Sequence, residues 1–149
     1  MGELLHPDFD EEKLGVSKGE DISCANIFKI GNKWALFCIS HRLGCRYFLG
    51  DFKDDKYLPE YHERMSHGTK DYFAPETLLT KDGRRVLWTW VFDRVEGLSA
   101  IQALPRELEL PRDGILRVKP LRELESLRGD KEREKKITVK ADGTYDLEK

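Results

Sequence analysis

Between residues 71 and 91 the chain reads DYFAPETLLTKDGRRVLWTWV. Phe73, Thr77 and Leu79 alternate with Ala74, Leu78 and Thr80, and 84–91 is a second β-rich run holding Trp88 and Trp90. Lys81-Asp82-Gly83 separates the two. Asp-Gly between such runs signals a hairpin, because both residues tolerate positive φ. The pattern recurs three more times. Upstream, 23–31 and 33–41 form a pair of strands joined at Gly31-Asn32, 45–52 a third strand, and 57–65 a weaker, partly charged fourth. Pro59 suits only an edge strand, which the last strand of a sheet is. Downstream, 73–81 and 84–92 are followed by a third strand over 100–110, a turn at Pro111-Arg112-Asp113-Gly114 and a fourth strand over 115–120.

Four strands in about 45 residues, twice over, is the period of a propeller blade. Residues 1–21 carry little periodicity and read as a lead-in loop, with the two blades filling 22–120. From 121 to 149 the chain reads as a charged connector and a terminal hairpin. Leu121, Leu124 and Leu127 fall near one helical face, and Ala141-Asp142-Gly143-Thr144 would turn the hairpin.

Composition adds mainly exclusions. The 149 residues are 39% hydrophobic and 36% charged, enough for one domain with a core. A net charge of −2 leaves no electrostatic footprint for nucleic acid or an anionic membrane. No apolar run approaches the ~20 residues that span a bilayer. The first residues lack the basic and apolar regions of a secretory signal, so the cytoplasm is the default expectation. Cys24, Cys38 and Cys45 are an odd set without a disulfide framework. Cys38 and Cys45 flank a turn and could face each other, but buried reduced thiols are the plainer reading. His41, His62 and His67 have no zinc or iron spacing and read as surface residues; no metal or cofactor is expected.

Four segments resemble glycoside hydrolase family 32, the β-fructosidases. Ser23-Cys24-Ala25-Asn26-Ile27-Phe28 with Gly31-Asn32-Lys33-Trp34 is similar to the family's Glu-Cys-Pro-Asp-Phe-Phe segment and its Gly-x-Lys-Trp continuation. Arg46-Tyr47-Phe48-Leu49-Gly50-Asp51-Phe52 resembles its R-Y-x-x-G-x-F strand. Asp71-Tyr72-Phe73-Ala74-Pro75-Glu76-Thr77 resembles D-F-Y-A-P-Q-T, and Leu104-Pro105-Arg106-Glu107-Leu108 the segment that closes the propeller. The resemblance covers about residues 20 to 130. It implies an all-β fold: about two four-stranded blades of a five-bladed β-propeller, leading toward a β-sandwich. It also implies retaining cleavage of β-fructofuranosyl bonds in sucrose, inulin or levan by two carboxyl groups.

The chain departs from the family where the chemistry sits. The family's nucleophile segment, Asn-Asp-Pro-Asn-Gly, and its Arg-Asp-Pro segment do not occur in these residues. Ser23 stands where the family has its acid, and a hydroxyl has no useful pKa for that role. Glu76 replaces a Gln and either binds fructose hydroxyls, takes over as acid, or is a solvated carboxylate. A bulge could bring Asp21 or Glu20 into the acid position. Asp71, Tyr72, Cys24 and Trp90 are the expected substrate contacts, although Trp88 and Trp90 share a face and could both be core. Arg46 and Arg106, inside strand patterns, would need carboxylate partners if buried.

The expectation is a partial β-fructosidase propeller, inactive alone, acting toward fructose-containing oligo- or polysaccharide. Open blade edges and an apolar flank would favour a homo-oligomer or pairing with a missing propeller half. The alternative is a non-catalytic β-sheet module that binds carbohydrate or protein.

Overall fold

A computed structural model describes residues 3–65, 72–91, 101–130, 136–139 and 143. Two antiparallel sheets form where the alternation predicts them. The first runs in sequence order through β1 (Ser23–Ile30), β2 (Lys33–Ser40), β3 (Gly44–Lys53) and β4 (Lys56–Arg64). The second takes β5 (Tyr72–Leu79), β6 (Arg85–Val91), β8 (Arg106–Glu109) and β9 (Arg117–Pro120), with β7 (Ile101–Gln102) also pairing to β6. Tight turns sit at the glycines picked from sequence, with φ of 57° at Gly31, 82° at Gly83 and 74° at Gly114.

One expected strand is split. The third strand of the second sheet is broken into β7 and β8, and Pro105 lies in the gap. Proline has no N–H for the ladder, so the strand restarts beyond it. Of the connector leucines, Leu124 and Leu127 belong to a 3₁₀ helix over Arg122–Leu127 with no buried residue, rather than to an amphipathic helix, and Leu121 is its N-cap. Most of the expected terminal hairpin lies outside the described residues; 136–139 carry no strand.

Side-chain alternation gives the first sheet two buried faces. Phe28, Ile30, Ala35, Phe37, Tyr47 and Leu49 face the second sheet and pack with Leu87, Leu108 and Leu110. Leu36, Cys38, Phe48 and Tyr57 point the other way, under Leu5, Phe9, Leu14 and Val16 from the lead-in. The lead-in therefore does more than connect. It holds a short helix, α1 (Glu11–Leu14), whose N-cap Asp10 accepts from the Lys13 N–H. Residues 4–6 bridge β4 in parallel: the Tyr57 N–H donates to Leu4 O and the His6 N–H to Tyr57 O, both at 2.8 Å. The strap thus pairs with the β4 edge at Tyr57.

The same alternation corrects three readings. Cys38 pairs with Arg46 and Cys45 with Ile39, so the two thiols point to opposite faces of the sheet. Trp88 is 39% exposed, on the face of the second sheet away from the interblade core, because Leu87 takes the inward position. His62 is not a surface residue: its ring packs on Phe48 at 4.7 Å and its Nδ1 lies 3.1 Å from Leu14 O.

Candidate functional site

The residues singled out from sequence gather around two matching irregularities. β1 shifts register between Ser23 and Asn26, and β5 between Phe73 and Glu76. Each bulge contains a non-glycine residue at positive φ, Cys24 at 51° and Ala74 at 46°. Such backbone costs of order 1–3 kcal/mol and concentrates at functional sites. β1 and β5 are the first strands of their sheets, and their bulged ends approach one another.

A polar network joins the two bulges. Asn26 Nδ2 donates to Glu76 Oε2 at 3.4 Å, and Thr77 Oγ1 donates to Asn26 Oδ1 at 2.5 Å. Arg85, stacked over Phe28 at 4.5 Å, points its Nη1 to Thr77 Oγ1 at 3.4 Å. Glu76 itself is exposed, held from one side by an amide.

The other side of the β1 bulge carries Asp21. Ser23 Oγ donates to its Oδ1 at 2.6 Å, the His41 N–H donates to Oδ2 at 3.2 Å, and His41 Nδ1 lies 2.5 Å from Oδ2. These hydrogen bonds, Ser23 first, hold the Asp21 carboxyl below its ordinary range. Asp21 is therefore set up as an anion near neutrality, the opposite of a proton-loaded acid. Both Ser23 and His41 point at the carboxylate rather than at each other, so they are not a nucleophile and its base. Glu20 is held likewise, by Arg42 and then Ser40, and its carboxyl is also lowered.

Arg46 fastens this loop from beneath. It is fully buried, and its Nη2 donates to the Asp21 backbone O at 2.5 Å. Among the described residues no carboxylate pairs with it and its Nε and Nη1 have no hydrogen-bond partner, and its Cζ lies 5.1 Å from the Phe48 ring centre.

The remaining candidates stand apart. Tyr72 lines a cleft between the sheets, and Trp90 packs edge-on to Phe73 at 6.2 Å. Asp71 lies outside the described residues. His41 is a surface residue, as expected from sequence, and the pairing of Ser23 with Ile39 brings it beside Asp21. Among the described residues no group of side chains could hold a metal ion.

Over 73 residues the chain is 40% identical to the raffinose invertase of Escherichia coli, covering 44% of this chain and 15% of that protein. It is 28% identical over 136 residues to the sucrose-6-phosphate hydrolase of Zymomonas mobilis and 29% identical over 133 to that of Vibrio alginolyticus. Those matches cover 78% and 82% of this chain and 26% of each relative, so the chain spans about a quarter of these two relatives' length. A solved glycoside hydrolase family 32 structure from Bifidobacterium adolescentis superposes with a TM-score of 0.58 at 24% identity, over 70% of this chain and 19% of that one. That likeness makes the two sheets blades of a β-propeller. Residues 7–120, from the strap to the end of β9, match the glycosyl hydrolases family 32 N-terminal domain, and the chain belongs to that family.

Proposed function

We propose that this chain recognises the fructosyl unit of sucrose-type sugars at its paired bulges and supplies one wall of a β-fructofuranosidase site. Glu76 and Asn26 are the hydroxyl-binding pair, and Asp21 is a fixed negative charge beside the β1 bulge. The observation that carries the reading is the Asn26–Glu76 contact, which joins the two blades at the strained ends of β1 and β5.

Retaining cleavage needs an ionised nucleophile and a protonated acid about 5–5.5 Å apart. Asp21 meets the first electrostatic requirement. The second is unmet at the family's acid position, where Ser23 spends its proton on Asp21. Glu76, which is exposed and held by one amide, is the carboxyl nearest to Asn26 across the paired bulges. The nucleophile segment of the family does not occur in these 149 residues. Binding without turnover by the isolated chain follows. A non-catalytic sugar-binding role is the second reading, favoured by Ser23 and by the lowered Asp21.

Fructose release from sucrose, inulin and levan by concentrated protein tests the first point. No release above a boiled control is expected. Release that survives in Glu76→Gln and Asp21→Asn would remove these residues from the chemistry.

A further inference from the structure

The hydrogen bonds between the two bulges have a direction, and it starts at Arg85. Arg85 precedes Leu87 by two on β6, so it shares the face that Leu87 turns to the interblade core. Thr77 is the cross-strand partner of Leu87, which puts Arg85 diagonal to it and within reach of a long side chain. Phe28 lies beneath the guanidinium, its ring centre 4.5 Å from Arg85 Cζ. Asn26 stands two residues before Phe28, where the β1 register is regular again, and so shares its face. Arg85, Thr77, Asn26 and Glu76 thus form a row that ends at the exposed β5 bulge.

Each contact limits the next. A guanidinium only donates. Arg85 Nη1, 3.4 Å from Thr77 Oγ1, therefore takes a lone pair of that hydroxyl. The Thr77 proton goes to Asn26 Oδ1 at 2.5 Å. With its oxygen turned to Thr77, the amide presents Nδ2 to Glu76 Oε2 at 3.4 Å. The opposite flip would set Oδ1 against a carboxylate oxygen, two acceptors with no proton between them. The O and N ends of an amide are nearly alike in shape, so only the hydrogen bonds choose between the flips.

This arginine has no other task in view. Among the described residues no carboxylate pairs with Arg85, and its buried Nε has no hydrogen-bond partner. At the far end, Asn26 is the one hydrogen-bond partner of Glu76 among the described residues. An amide donor and a carboxylate acceptor are left side by side, the two groups a single hydroxyl can engage at once.

We infer that Arg85 and Thr77 are positioning residues that lock the Asn26 amide with its N–H toward Glu76, so that Glu76 accepts a hydrogen bond from a sugar hydroxyl. The ligand in this inference rests on the fructosyl reading of the bulges; the lock itself does not. Neither Arg85 nor Thr77 touches the sugar.

NMR of the isotope-labelled full chain reads the lock without ligand. The two Asn26 Nδ2 protons should be widely split, with the one facing Glu76 moved downfield. Thr77→Ser, which keeps the hydroxyl, should keep the splitting. Thr77→Val, which keeps the shape alone, and Arg85→Met should collapse it while the β2–β3 backbone shifts stay in place. Sucrose affinity should follow: near wild type in Thr77→Ser, and roughly tenfold weaker in the other two, the worth of one good hydrogen bond. A splitting that survives Thr77→Val and Arg85→Met would overturn the lock. So would a collapse in Thr77→Ser, which would trace the effect to packing. A collapse that leaves sucrose affinity unchanged would overturn the positioning role. The expected collapse in a protein that binds no sucrose even as wild type would confirm the lock and overturn the fructosyl reading.

Discussion

The three cysteines show how much one position decides. Cys24 sits exposed on the bulge, whereas Cys38 and Cys45 are buried and burial pushes their thiols up to about 11 and about 12. Native protein at neutral pH should therefore give one fast thiol toward a disulfide reagent, and three after unfolding. Fast reaction of two or more native thiols would contradict the burial. Gly50 is a tighter constraint. A Cβ there would lie 2.2 Å from Leu58 O and 2.7 Å from Pro59 Cα, at the bulge where β3 meets β4. Gly50→Ala should cost about 1–3 kcal/mol, read as a lower urea midpoint. His62 gives a pH signature. Burial lowers its pKa, Arg46 and Arg64 push the same way, and the Leu14 carbonyl and Glu63 oppose them. In the fold it stays neutral at pH values where the unfolded chain, titrating near 6.5, takes a proton. Its contribution is thus present above about pH 6.5 and lost as pH falls through the lower folded value. Stability should drop over that window, and His62→Gln should flatten the drop. An unchanged slope in the variant would reject this assignment. The buried thiols agree with the sequence reading, whereas the His62 environment depends on the lead-in's Leu14 carbonyl and the Gly50 constraint on β4, neither of which spacing shows.

At the level of elements, alternation located nearly every strand, since one buried face forces a period of two. What it missed are places where tertiary contacts override local pattern. The lead-in lacks periodicity, yet it contributes Leu5, Phe9, Leu14 and Val16 to a buried face and a bridge to β4. Its apolar residues are too sparse to read as an element and are legible only once Leu36, Phe48 and Tyr57 are known to need a cover. Phe9 packs edge-on to Phe48 at 6.2 Å. Phe9→Ala should cost about 3–5 kcal/mol. It should speed hydrogen exchange at the Tyr57 amide, which donates to Leu4 O, more than at the β2–β3 ladder. Uniform acceleration would mean that the strap and the sheet open as one unit.

For the whole molecule, the family was legible from four short segments because propeller strands repeat in fixed order and spacing. The site was only half legible. Motif reading singled out Glu76, Asp21 and Ser23, and the fold sets Ser23 against Asp21 and Glu76 against Asn26. The pairing of Asn26 with Glu76 across blades could not be read from a single chain segment, since it spans 50 residues. The strap closes one flank of the blade pair, while Leu78 and Trp88 stay exposed on the other. Between the blades, the bulged ends of β1 and β5 bring the exposed Glu76 carboxylate against Asn26. The central claim is that this place binds a fructosyl unit. A titration of isotope-labelled protein with sucrose, followed by NMR, tests it most directly. Saturable shifts at the Asn26 side-chain amide and the Glu76 and Thr77 backbone, abolished in Glu76→Ala, are the predicted result. Shifts that bypass these residues, or that persist unchanged in Glu76→Ala, would contradict it.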